Sequence, residues 1–489
     1  MGEGHKTIFE TLEVEKTLGW RAFKIMEHGA GKTISENEIR TIFSASKNEK
    51  KYCLKGMPEL SIEEAVLLEK ALDHCRKNNF SEKNSAIESL CIAENIHLEQ
   101  DQKEYLVKLL GWLTQSSGPV TGFLEDPNLE EIAVIGIGKN KPIFVYDSNF
   151  GWMKSNVYFA SEKKLKETIN SMASKIGRRV TTQNPLLNAT LFDGSRMNAC
   201  ISPVAFSGTN FTIRKFRKKM FTPKNIVESG AFSYEQMAFL WLAMESNCSI
   251  VVCGNTGSGK TTLLNSLFCF VPENERIIIS EECPEINIPH EHKINQSTLE
   301  EVGIGMKHLI ENTLRMRPDI VIIGEVRNKD EASAFVDTLL AGQGKASYCT
   351  FHAQSGEEAL ARLQTLGVLG FDLGSIDIMI TQKRASVFSN GNFFEKRICT
   401  EISEILIEKN SPVANKLSEY NFDKKEFEKI NIGKKLTEKA GKTFGYNRKK
   451  TKEELISREK YLKKISCEDL EGFMHEIKEY HKRQSENGD

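Results

Sequence analysis

No apolar run in this chain approaches the roughly 18 residues that a membrane-spanning helix needs. The opening stretch, MGEGHKTIFETLEVEK, also lacks the apolar core of a secretory signal. Both absences point to a cytoplasmic chain that meets a membrane only at its periphery, through partners or its surface. The 11 cysteines include no C-x-x-C pair, which argues against a structural zinc site. Several fall inside apolar strand-like runs, as expected of reduced thiols serving as small core residues. Nor does either sign of charge dominate, with 66 Lys and Arg against 67 Asp and Glu. A net charge of −1 supplies no global field for nucleic acid, so no direct sequence-specific nucleic-acid binding is expected.

What is present is the composition of a globular protein, 39% hydrophobic and 27% charged over 489 residues. That length suggests about three domains. Residues 1–115 read as a helical N-terminal leader. Ser61 and Glu64 form a capping-box pattern ahead of an amphipathic stripe through Ala65, Leu68, Leu72 and Cys75, and a second stripe runs from Tyr105 to Leu113. Ser116-Ser117-Gly118-Pro119 is punctuation. Beyond it, strand-like text at Ile132–Ile135, Ile143–Tyr146, Arg196–Ile201 and Phe211–Phe216 surrounds a helical stretch over Ser161–Ile176, so 116–225 reads as an α+β domain. From 226 to 408 apolar strands alternate with helical spacing, the pattern of an α/β domain with a parallel sheet. Residues 409–489 hold 20 Lys and Arg against 15 Asp and Glu, and read as a charged, partly helical extension. A capping-box start is expected there at Thr451–Glu454, with a helical stripe through Leu470, Phe473, Met474 and Ile477.

The most informative stretch is 248–262, CSIVVCGNTGSGKTT. A buried-strand run leads into Gly254-Asn255-Thr256-Gly257-Ser258-Gly259, then Lys260, Thr261 and Thr262 open a helix. Glycines let successive N–H groups point inward at phosphates, the lysine supplies a point charge, and Thr261 presents a hydroxyl to Mg²⁺. The helix adds the positive end of its dipole. ATP and Mg²⁺ are therefore the expected ligands. In a parallel sheet, ligands bind at the carboxyl ends of strands, so residues ending the other apolar runs should gather at the same place. These are Glu281 and Glu282, Glu325 and His352. Hydrolysis needs an acid near the metal and a group that orients water. Glu325 is the first candidate for the metal and water side, with Glu281 its rival. His352 is either a γ-phosphate sensor or the hydrogen-bond partner of a glutamate. Arg196 and Arg214 lie in apolar strand text, where a guanidinium must be paired or face a ligand; both options stay open on residue type alone.

These boxes occur in an order that resembles the type II/IV secretion ATPases, in particular the archaeal type IV pilus and archaellum branch. The phosphate loop Gly254–Thr262, the acidic stretch Ser280–Glu285, the run Arg315–Arg327 and the histidine box Thr350–Ala353 carry the resemblance. Glu125–Ile132, Asp193–Arg196 and Thr212–Phe216 match the preceding N-domain, so the likeness covers roughly 118–408. It implies a RecA-like P-loop ATPase domain after an α+β, PAS-like N-domain. It further implies a homohexameric ring in which Arg196 and Arg214 reach the nucleotide, working on a pilin-like filament or secretion machinery through a polytopic membrane platform protein. Glu282 stands where the family usually has Asp, and the tetracysteine zinc element of many bacterial assembly motors is missing. A motor for conjugative or DNA-uptake transfer shares the same engine residues. A nucleotide-gated ring scaffold without turnover is the non-enzyme alternative, opposed by the presence of Lys260, Thr261, Glu281 and Glu325 together.

Overall fold

The computed structural model describes residues 18–22, 32–44, 49–55, 57, 60–77, 83–147, 149–216, 220–299, 302–342, 344–389, 392–467 and 469–486. The reading of the first sixteen residues lies outside them. The chain divides into two compact units, Met1–Arg217 and Lys218–Asp489.

In the first unit a nine-stranded sheet runs in the order Lys32–Glu36, Arg40–Ser44, Lys50–Leu54, Gly151–Ser155, Phe144–Asp147, Leu129–Val134, Asn210–Arg214, Arg196–Cys200 and Leu186–Thr190. Its neighbours are antiparallel except where Lys50–Leu54 meets Gly151–Ser155. The helices expected in 1–115 form at Ile62–Lys77, Lys83–Glu94 and Gln100–Leu113. Ser61 and Glu64 cap the first reciprocally, at 3.1 and 2.8 Å. The helical reading was incomplete, because strands precede these helices and join the sheet of the following segment. Leu68, Leu106 and Leu109 share one buried cluster with Ile132 and Val145, so no separate core ends near residue 115. The strand Lys32–Glu36 is mostly exposed and polar, which leaves no alternating pattern to read. Buried Arg40 locks the junction, with a guanidinium nitrogen 2.6 Å from Asp147 Oδ2 and its Nε 3.3 Å from Asp126 Oδ2. Tyr52 donates its hydroxyl to Asp126 at 2.8 Å.

The second unit is mixed α/β. Its sheet runs Lys293–Ser297, Ile277–Glu281, Ile320–Val326, Ala346–Phe351, Ile250–Gly254, Ile378–Ser389, Asn392–Glu408, Ser411–Asn421 and Glu426–Phe427. The first six strands are parallel and the rest antiparallel. Every residue of Ile250–Gly254, Ile277–Glu281 and Ala346–Phe351 is buried, as befits parallel strands covered on both faces. Alternate residues serve different cores. Ile250, Val252, Ile320 and Ile322 pack on one side, and Val251, Cys253, Val321 and Ile323 on the other.

The segment after 408 is not an appendage. Ser411–Asn421 extends the sheet, and helices Lys434–Phe444, Arg448–Leu462 and Leu470–Glu486 put Leu436, Leu455, Leu462, Phe473 and Ile477 into the first of those cores. Thr451–Glu454 does not begin a helix, because Asn447, four residues earlier, caps one that already runs through it, and Thr451 back-bonds to the Asn447 carbonyl at 2.9 Å. Among the described residues no helix is long and apolar enough to cross a membrane.

Candidate functional site

The strand Ile250–Gly254 delivers the chain into the glycine-rich loop, and Lys260 begins the helix Lys260–Leu267. Gly257 and Gly259 have φ of 73° and 96°, where a side chain would be strained. At Gly254 space decides: a Cβ there would lie 2.3 Å from the Gln382 carbonyl oxygen and 2.4 Å from Ser258 Oγ. Lys260 is 8% exposed, and its Nζ donates to the carbonyls of Gly254 at 3.1 Å and Asn255 at 3.4 Å. Carbonyl dipoles thus hold the ammonium against the loop, from which an anionic oxygen can take it over with a stronger, charge-assisted bond. Thr261 Oγ1 lies 3.2 Å from Glu285 Oε2. A hydroxyl beside a carboxylate is the hard oxygen donor set that magnesium accepts together with phosphate oxygens and water.

The two candidate glutamates sit differently. Glu281 is 3% exposed, and its Oε1 accepts the backbone N–H groups of Glu285 and Ile286, both at 2.9 Å. Gly324 leaves room for it, since a Cβ at that position would come within 2.8 Å of Glu281 Cγ. Glu281 therefore shapes the turn that carries Glu285 to Thr261. Glu325 falls where the pairing of Ile320–Val326 with Ala346–Phe351 slips between Ile323 and Val326, and such a bulge re-aims a side chain. Its Oε1 is 2.5 Å from His352 Nε2, and its Oε2 accepts from Arg327 Nε at 2.7 Å. Arg327 also pairs with Glu282.

His352 is half-buried and has its pKa pushed below 6.5, first by burial and then by the positive charges of Lys260, Arg327 and Arg362. A hydrogen bond with the Gly254 backbone opposes that shift. Its Nε2 faces Glu325 Oε1, so the imidazole orients that carboxylate. A carboxylate oriented by an imidazole and a guanidinium, next to a lysine-bearing loop, has the chemistry to orient water at a phosphoryl group. The second unit thus brings together the loop, Glu281, Glu325 and His352. Arg196 and Arg214 belong to the first unit, directly opposite each other across the ladder of Arg196–Cys200 and Asn210–Arg214. Glu285 and Arg327 lay inside the boxes read from sequence, but residue type alone could not single them out. Only the turn after Glu281 and the bulge at Glu325 show where their side chains go.

The chain is also similar to known proteins. The family model described as "Type II/IV secretion system protein" matches residues 115–418. An uncharacterised protein of Methanocaldococcus jannaschii is 37% identical over 236 residues, 46% of this chain and 32% of its own length. A second from the same organism is 35% identical over 272 residues, 54% of this chain and 47% of its own. The chain thus spans half or less of these relatives. The type IV secretion system protein VirB11 of Bartonella henselae is 27% identical over 343 residues, 60% of this chain and 93% of its own. Among solved structures, the VirB11 ATPase of the Brucella suis type IV secretion system is 23% identical, covering 60% of this chain and 97% of its own, with a TM-score of 0.30. The family match spans well over half of the sequence, and the chain belongs to the type II/IV secretion system protein family.

Proposed function

We propose that this chain is an ATP hydrolase that couples Mg-ATP hydrolysis to the assembly of a type IV pilus-like filament or to type II/IV secretion. The observation that carries the reading is the convergence of Lys260 in its glycine loop with the Glu325–His352 pair at the ends of adjacent strands. In this reading Gly254–Gly259 cradle the phosphates, with Asn255, Thr256, Ser258 and Thr262 completing the binding loop, and Lys260 neutralises β- and γ-phosphate charge. Magnesium, held by Thr261 with Glu325 on its acidic side, would spread the phosphate charge. Glu325 orients the attacking water, His352 sets the position of that carboxylate, and Glu281 holds the turn beneath them. Arg196 and Arg214 supply positive charge from the first unit, either by closure of the two units or from a neighbouring subunit.

The family supports a homohexamer acting on a polytopic membrane platform protein, peripheral to the cytoplasmic face of the membrane. The two Methanocaldococcus jannaschii relatives favour the archaeal branch. A second reading, a motor for conjugative transfer, draws support from a putative conjugal transfer protein of Mycobacterium tuberculosis that is 29% identical over 239 residues. The test of the enzyme reading is phosphate release by the purified chain with Mg-ATP. Wild type should turn over and Lys260→Ala should not. Equal release by both would refute the phosphate-loop assignment, and binding without release by wild type would favour a scaffold.

A further inference from the structure

The phosphate loop is braced from outside by a hairpin that the family boxes do not include. Strands Ile378–Ser389 and Asn392–Glu408 reach the loop at four of its residues. The Gln382 carbonyl fills the space against Gly254, and its Nε2 is 3.9 Å from where a Cβ on Gly259 would stand. The backbone N–H of Arg384 donates to Asn255 Oδ1 at 3.1 Å. Arg397 Nε donates to the Gly257 carbonyl at 3.0 Å. The Arg384 guanidinium lies against Gly257, 3.0 Å from its Cβ position, and pairs with Glu395.

Two features make this more than packing. Arg384 and Arg397 stand directly opposite each other in the ladder, and like charges so placed weaken a sheet. They also add cationic charge beside a loop that already holds Lys260, an arrangement that a polyphosphate would offset. Gly257 has φ of 73°, and because glycine moves freely among backbone conformations, the orientation of its peptide depends on what bonds to it. The Arg397 bond holds it at the carbonyl. Arg397 is itself exposed, so its side chain adds little to the core.

We propose that Arg397, seconded by Arg384, is a positioning residue that presets the phosphate loop for a nucleoside triphosphate. The hairpin is then part of the nucleotide site. This rests on the ATP-binding reading above, and the experiment separates the two. The full chain is titrated with a fluorescent ATP analogue in the presence of Mg²⁺, as wild type, Lys260→Ala, Arg397→Ala and Arg397→Lys. Unfolding temperature is measured without nucleotide, and kcat and KM with ATP. Arg397→Ala should raise Kd and KM by about tenfold, the scale of one charge-assisted hydrogen bond, with kcat at saturation and the unfolding temperature little changed. Arg397→Lys should recover most of the affinity, because its ammonium can donate to the same carbonyl. Glu395→Gln, on an exposed side chain, releases Arg384 and should weaken binding less, by about threefold. The inference is overturned if wild type binds, Lys260→Ala does not, and Arg397→Ala binds like wild type. It is overturned equally if Arg397→Ala and Arg397→Lys lower affinity and unfolding temperature alike. Failure of wild type itself to bind would overturn the nucleotide reading.

Discussion

Replacing Arg458 tests whether the C-terminal helices are a structural part of the second unit. Arg458 lies on the helix Arg448–Leu462, 2.7 Å from Glu245 Oε2, with side-chain exposures of 3% and 6%. Its guanidinium also covers the Trp241 ring at 4.7 Å, and Trp241 Nε1 and His481 Nε2 complete the carboxylate's partners at 2.5 and 2.8 Å. Burial alone would raise the Glu245 pKa, but Arg458, His481 and Trp241 together outweigh it and hold it below 4.5. Arg458→Ala leaves that carboxylate buried without its main counter-charge, at a cost of about 3–5 kcal/mol. For a domain of this size that corresponds to a fall in unfolding temperature on the order of 10 °C. Because the folded pKa is depressed, the wild-type pair contributes its full stability above about pH 4.5 and loses it as pH falls through the folded value, so the gap between variant and wild type should close in acid. Glu245→Leu combined with Arg458→Met should recover most of the loss, since a buried ion pair exchanged whole for apolar side chains is often neutral or stabilising. Thermal unfolding followed by circular dichroism reads all three. An Arg458→Ala transition within 1–2 °C of wild type at pH 7 would refute the argument, for it would mean that the helices detach at little cost.

Three further outcomes follow from the site and its supports. Glu325→Gln should keep ATP binding but cut hydrolysis on the order of 100-fold or more, while Glu281→Gln should lower the unfolding temperature; a dead Glu281→Gln enzyme beside an active Glu325→Gln would exchange their roles. Arg214→Ala and Arg196→Ala should each fold yet lose turnover, on the scale of 10³-fold for a lost arginine finger, and wild-type activity per subunit should rise with concentration as rings assemble; turnover measured alongside light-scattering mass decides this, and a fully active monomer indifferent to both changes would end the ring model. His290 is 2% exposed, with a pKa pushed below 6.5 chiefly by burial, so the unfolded chain takes up a proton before the folded one does as pH falls from 6.5. Stability should drop over that interval, and His290→Phe should flatten the drop in unfolding temperature against pH; an unchanged slope would count against it.

What could be read from sequence was what period and punctuation encode. The strand at Ile250–Gly254, the glycine loop and the helix from Lys260 were legible because buried parallel strands and phosphate loops allow few residue types. The strands Ile277–Glu281, Ile320–Val326 and Ala346–Phe351 lie on the apolar runs and continue one to three residues past them. The strands Lys32–Glu36 and Arg40–Ser44 were missed for the opposite reason. Edge strands expose polar side chains, and the inner partner owes its place to Arg40 meeting Asp126 and Asp147, more than 80 residues away. The C-terminal helices looked solvated because their composition is charged. Their burial depends on a few positions such as Leu455, Arg458 and Phe473 finding Trp241, Glu245 and Phe270 elsewhere in the chain.

The same distinction separates the two glutamates. Both end apolar strands, and both are acids beside a phosphate loop, so spacing cannot rank them. Environment does. Glu281 spends one oxygen on two backbone N–H groups, which fixes a turn. A carboxylate so held is poorly suited to reorient around a water. Glu325 sits on a bulge with its oxygens against side chains, His352 and Arg327, whose own positions can respond to charge at the loop. Because Lys260 and Arg327 both act on His352 electrostatically, a polyphosphate that draws Lys260 away from the Gly254 carbonyl would also change what the imidazole feels. The glutamate paired with His352 is therefore the one whose geometry can register a nucleotide, which is the physical reason for proposing hydrolysis at Glu325 and support at Glu281.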